Sequence, residues 1–166
     1  MNFFPLVLKL QGYSFKKAER YLSGIQKYKL DKFDQWHDEM RWKKFEYHYD
    51  NNIAYRDFVT NQAKKRPTAW DEIPILTKKW LQQTLKEIMT SGLRTRDLYL
   101  SNTSGSSGHP FFFAKDKFCH AMTWALIIDR YRWHGVEYGN SLQARFYGVS
   151  LDINQNLSER LKDFIS

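Results

Sequence analysis

Between the apolar runs Leu98-Tyr-Leu100 and Phe111-Phe-Phe113 lies Leu100-Ser-Asn-Thr-Ser-Gly-Ser-Ser-Gly-His-Pro110, a stretch almost free of bulky side chains. Four hydroxyl residues, Thr103, Ser104, Ser106 and Ser107, surround Gly105 and Gly108, which are three positions apart. Glycine permits the positive-φ turns that aim successive amides inward, so backbone N–H groups and hydroxyls can converge on one anion. The same composition also suits a plain Gly/Ser turn between two strands. The stretch is not a Walker A loop, which needs four residues between its glycines and a following Lys-Ser/Thr. It does not satisfy Gly-x-Gly-x-x-Gly either. What remains is its donor density, which suits the β- and γ-phosphates of a nucleotide, where many small contacts stabilise a pyrophosphate leaving group.

Other reactive residue types give weaker signals. The histidines at 37, 48, 109, 120 and 134 form no i, i+4 pair and no His-Glu-x-x-His, so they read as solvated or core-edge side chains and not as a metal site. Cys119 and His120 are sequence neighbours, which on a helix separates them by ~100°, and a buried thiol is the expected state of Cys119. The aromatic–basic segment Trp42-Lys-Lys-Phe-Glu-Tyr-His-Tyr49 could stack on bases. An amphipathic helix whose lysines extend past its apolar face explains it more simply, and the sequence contains no recognised nucleic-acid module.

The elements that must position the loop follow from periodicity. Ser14 can cap a helix with Phe15, Ala18, Leu22 and Ile25 on one face. A second helix opens near Asp31 with Phe33, Trp36, Met40 and Phe45 as its apolar face, and Asp50-Asn-Asn52 breaks it. Residues Ile53 to Val59 read as a short helical piece, and Lys64-Lys-Arg-Pro67 as a loop. Pro74 and Thr77 set up a further helix with Leu81, Leu85 and Ile88 on one face, stopped by Ser91-Gly92. Then the character changes. Leu98–Leu100 and Phe111–Ala114 read as strands, Lys117 to His134 as a long helix capped by Asp116 and stopped by Gly135, residues 144–148 as a strand and 157–165 as a helix. Residues 1–92 are thus expected to form a mostly helical region and 93–166 an α/β subdomain with an incomplete sheet.

A chain of 166 residues can bury a core of its own, and its 42% hydrophobic content argues against disorder. No apolar run approaches the ~18–20 residues of a membrane span. The start, Met1 to Lys9, lacks a basic n-region and a small-residue cleavage site, so it reads as mature sequence. A single cysteine excludes an internal disulfide and fits a reducing cytoplasm. The net charge of +8 is uneven: residues 1–66 hold 14 Lys/Arg against 8 Asp/Glu, so the front half is the part that attracts anions.

The segment Thr103-Ser-Gly-Ser-Ser-Gly-His-Pro110 resembles the Thr-Ser-Gly-Ser/Thr-Ser/Thr-Gly-x-Pro phosphate loop of the adenylate-forming enzymes. More narrowly, the chain is similar to the phenylacetate–coenzyme A ligase family and its capsular polysaccharide biosynthesis relatives. Ile53-Ala-Tyr-Arg-Asp-Phe58 looks like that family's Val-Pro-Phe-Tyr-Arg segment, and Ile73-Pro-Ile-Leu-Thr-Lys78 like its Leu-Pro-Ile-Leu-Thr-Lys. Arg145-Phe-Tyr-Gly148 falls where the family has a comparable strand.

The resemblance implies an α/β fold in which an N-terminal helical region precedes the beginning of the adenylate-forming large domain. It implies activation of a small carboxylic acid by ATP, with Mg²⁺ on the phosphates, and acyl transfer to a thiol such as coenzyme A. Thr103, Ser104, Gly105, Ser106, Ser107, Gly108 and His109 would then bind phosphate. Many members carry lysine at the position of His109, and a histidine that is mostly neutral near pH 7 supplies less positive charge. The segments that bind adenine, ribose and acyl group, and the catalytic lysine, lie downstream in the family. The chain is therefore expected to be the N-terminal part of a longer enzyme and inactive alone, with no catalytic residue assigned within it. Two other classes remain open: a basic aromatic nucleic-acid-binding module, and a non-catalytic interaction domain. The aromatic-rich helical front half offers a surface for a homodimer in either the enzyme or the interaction reading.

Overall fold

A computed structural model describes residues 4–103 and 111–141. The chain divides into two compact units, one formed by Met1–Ser23 with Phe118–Ser166 and the other by Gly24–Lys117. The described structure is mostly helical with one small antiparallel sheet, a mixed helix-and-strand architecture. Position 92, where the sequence changes character, lies inside the second unit. The expected elements at 144–148 and 157–165 lie outside the described residues.

The first unit contains α1 (Phe4–Leu10) and most of α2 (Phe15–Ile25) and α7 (Lys117–Trp133). Gly12, at φ 82°, ends α1. Its N–H donates to Lys9 O at 2.9 Å and that of Tyr13 to Leu8 O at 2.8 Å, a Schellman closure that needs a left-handed residue. Ser14 takes the N-cap position, its carbonyl accepting from Ala18 N at 3.1 Å. Phe15, Ala18 and Leu22 then face inward and join Phe4, Leu8, Ala121, Ala125, Ile128 and Tyr138 in one apolar core. The Phe4 ring meets Trp124 and Tyr138 edge-on at 4.7 and 4.8 Å, the arrangement that aromatic quadrupoles prefer. Gly135 closes α7 as expected, with Val136 N donating to Tyr131 O at 3.0 Å.

In the second unit α3 runs from Leu30 to Asn51 and α4 from Ile53 to Ala63. The expected apolar face of α3 is only partly buried. Phe45 is buried, Trp36 and Met40 are half-buried, and Phe33 is exposed, while Tyr49, absent from that expectation, is buried. Only the last turns of α3 have α4 to pack on, and Phe45, Tyr49 and Val59 form their shared core. Within Trp42–Tyr49 the lysines at 43 and 44 point outward while Phe45 and Tyr49 are core, so this stretch is an amphipathic helix.

Asn52 makes the corner. Its N–H donates to His48 O at 2.8 Å and ends α3, and its Oδ1 accepts from Tyr55 N at 2.9 Å and starts α4. Its Nδ2 donates to Ile88 O at 2.7 Å, and Ser91 N reaches Asn51 O at 2.8 Å, so the chain leading to the strands is tied to this corner. Thr90 is buried beside it, 3.2 Å from His48 Nδ1. Burial, and then the neighbouring Lys44, push the His48 imidazole below its ordinary pKa.

The single helix expected over residues 77–91 is instead two one-turn helices, α5 (Lys78–Leu81) and α6 (Leu85–Ile88). Thr77 does cap α5, its Oγ1 accepting from Trp80 N at 3.3 Å. Thr84 and Glu87 then form a second capping box, Glu87 Oε2 accepting from Thr84 N at 3.0 Å, which stops one helix and starts another.

Substituting Asn52 tests the corner. Asn52→Ala removes an N-cap and leaves Ile88 O without its donor, a combined cost of about 2–4 kcal/mol in urea denaturation. Asn52→Asp keeps the cap but sets an acceptor against Ile88 O, so it is expected not to restore stability. A second expectation concerns Glu72, whose carboxylate accepts from Lys65 Nζ, from the Thr68 and Ala69 amides and from the Thr68 hydroxyl. These donors, Lys65 first, hold its pKa down to about 2. The folded-state value lies below the unfolded one, so the stabilisation is complete above about pH 4.5 and is lost as the pH falls through about 2. A carboxyl-detected NMR titration is expected to show Glu72 titrating near that value, and Lys65→Ala to move it upward.

Candidate phosphate-loop hairpin

The functional candidate rests on strands β1 (Leu98–Asn102) and β2 (Phe112–Asp116), which pair antiparallel with Leu98 opposite Asp116 and Asn102 opposite Phe112. Both strand expectations therefore hold, each extended by two residues at its C-terminal end. Alternation sorts the residues. Leu100, Asn102 and Phe112 share the exposed face, while Tyr99, Ser101, Phe113 and Lys115 are half-buried on the other. A 3-10 turn at Thr95–Asp97 delivers the chain into β1, and the Asp97 carboxylate accepts from Arg94 Nε at 2.6 Å. That hydrogen bond is the main cause of its lowered pKa, with Arg96 and Lys117 adding smaller attraction.

The hairpin closes at Thr103 and Phe111. Thr103 N donates to Phe111 O at 2.9 Å, and Phe111 N donates back to Thr103 Oγ1 at 3.1 Å. Thr103 therefore acts as the pin at the loop's base. Its hydroxyl oxygen is an acceptor here and its hydroxyl hydrogen is still able to donate. The Phe111 and Phe113 rings stack with centroids 6.0 Å apart, and the Lys115 ammonium lies 5.5 Å from the Phe113 ring. Of the residues expected to bind phosphate, only Thr103 falls in the described structure. Ser104, Gly105, Ser106, Ser107, Gly108 and His109 lie outside the described residues.

The upstream element Ile73–Lys78 is divided by role. Ile73 packs against the Phe45–Tyr49–Val59 core, Ile75 is exposed, and Thr77 caps α5. Trp80 meets Phe58 at 5.0 Å, and with Pro74, Ile75 and Thr77 they line a groove of about 500 Å³. Neither histidine reading nor the cysteine reading holds throughout. Cys119 is exposed, against the expectation of a buried thiol, while His120 is buried at 8% exposure and accepts at Nε2 from Trp124 Nε1 at 3.1 Å. The reason is that α7 mixes apolar and polar residues on every side, so its sequence does not mark an inward face at 119 and 120. Among the described residues no three His, Cys, Asp or Glu side chains come together.

The reciprocal bonds at the loop base predict a difference between two small substitutions. Thr103→Val deletes the acceptor for Phe111 N, and amide exchange at Phe111 is expected to accelerate about fivefold, the equivalent of ~1 kcal/mol for one hydrogen bond. Thr103→Ser retains the oxygen and is expected to exchange at the native rate. Compared with known protein families, curated proteins and solved structures, the chain finds no match in any of the three.

Proposed function

We propose that the hairpin carries an ATP phosphate loop, and that the chain is the phosphate-loop portion of an adenylate-forming ligase like the phenylacetate–coenzyme A ligases. The supporting observation is the position of Thr103-Ser-Gly-Ser-Ser-Gly-His-Pro110 between two paired strands whose ends are joined by mutual Thr103–Phe111 hydrogen bonds. Joined strand ends lower the entropy cost of closing a loop around a flexible polyphosphate.

In this reading a carboxylate oxygen attacks the α-phosphorus of ATP and the α–β bridging bond breaks. The products are an acyl-adenylate and pyrophosphate. Donors at Ser104, Gly105, Ser106, Ser107 and Gly108 meet the charge that grows on the leaving pyrophosphate, and Thr103 positions the loop. Mg²⁺ shared between the phosphates would supply further neutralisation. A neutral His109 would supply less positive charge than the lysine many members of the family carry there. A thiolate, that of coenzyme A in the family, then displaces AMP from the acyl carbon. The setting would be cytoplasmic, with polysaccharide biosynthesis as the broader context that the resemblance implies.

The test is ligand-linked stability. Mg-ATP at about 100-fold above its dissociation constant is expected to stabilise the folded chain by about 2.7 kcal/mol, seen as a raised unfolding midpoint. Ser104→Ala combined with Gly105→Val is expected to abolish that rise without lowering the unliganded midpoint. An unchanged midpoint for the native chain in millimolar Mg-ATP would count against the phosphate-loop reading.

A further inference from the structure

We infer that the first unit docks on an anionic phospholipid surface through α1 and the start of α2, independently of the phosphate loop. Residues 4–29 hold six Lys/Arg and a single acidic residue, Glu19. That carboxylate is engaged by Arg132 Nη2 at 2.8 Å, so it is turned toward a cation of α7. Phe15, Ala18 and Leu22 bury the inner face of α2, which sends Lys16, Lys17 and Arg20 to the outer one.

These cations share a groove of about 600 Å³ with Leu6, Lys9 and Tyr13, and none of the described residues lining it is acidic. Lys9, Lys16, Lys17 and Arg20 are all exposed, and the Lys17 ammonium lies 5.3 Å from the Phe118 ring. Leu6 is 52% exposed and Leu10, four positions on and so on the same side of α1, is 80% exposed. A soluble anion would use the cations and leave both leucines in water. A bilayer interface uses both sets, since headgroup phosphates meet the ammonium and guanidinium groups while leucines enter the acyl boundary. No helix among the described residues is long and apolar enough to cross a membrane, so α1 would lie in the interface plane.

Co-sedimentation of the full chain with vesicles tests this. Binding to phosphatidylcholine vesicles containing about 30% phosphatidylserine is expected, with weak binding to phosphatidylcholine alone and loss as salt rises. Replacing Lys16, Lys17 and Arg20 by Gln is expected to weaken binding by about fivefold per cation removed. Leu10→Ser, at a site too exposed to affect folding, is expected to weaken it about tenfold at unchanged charge. Equal affinity of native and Leu10→Ser chains would overturn the inference, as would equal binding to neutral and anionic vesicles. Displacement from the vesicles by millimolar inorganic pyrophosphate would also overturn it and would assign the groove to a soluble phosphate.

Discussion

The buried side chain of Asn52 holds together the part of the molecule that carries the candidate site. An amide has both a donor and an acceptor, and here each is used on a different stretch of chain: Oδ1 starts α4 and Nδ2 holds Ile88 O. With its own N–H closing α3, one residue ends a helix, begins the next and fixes a segment 36 positions away. That segment continues through Thr90 and the turn at Thr95–Asp97 into β1. The hairpin is short, and two strands alone are marginal in water. Its placement therefore depends on what holds the chain that enters it.

Several charged residues of this second unit are paired. Arg66 makes a forked contact with Asp50, Lys65 meets Glu72, and Arg94 meets Asp97. Such exposed pairs contribute little to stability, but they order loops. Arg66 also covers the Tyr49 ring at 4.7 Å and so closes one side of the α3–α4 core. In the first unit the balance differs, because α1 and α2 present several cations and only one carboxylate. The cations of α1 and α2 therefore make a local positive field there, beside two exposed leucines.

The two proposals assign the reacting groups to one region and the place of reaction to another. The two proposals rest on different residues and different physics. The proposed phosphate binding rests on the Gly/Ser composition of the loop and on strand ends joined by Thr103 and Phe111. Interfacial docking depends on unmatched charge and apolar exposure, neither of which needs a fixed geometry.

Much of the architecture was legible in residue order because local rules suffice where an element is short, capped and amphipathic. Ser14, Asn52, Thr77 and Gly135 marked helix ends, and the apolar runs on either side of the Gly/Ser stretch marked both strands. Where more than one local rule applied, tertiary structure decided. The capping box at Thr84 and Glu87 competed with a continuous helix and divided it. The aromatic stripe of α3 was longer than the surface available to cover it, so Tyr49 became core and Phe33 remained exposed. In α7, where apolar and polar residues are mixed around the helix, the sequence named a long helix, and packing put His120 inside and Cys119 outside. By itself the sequence determined several helix ends, the strand pair and the composition of the Gly/Ser loop, since these follow from neighbours within a few positions. Only the tertiary structure decided which faces were buried and that Asn52 would reach Ile88, because those contacts join residues far apart in the chain.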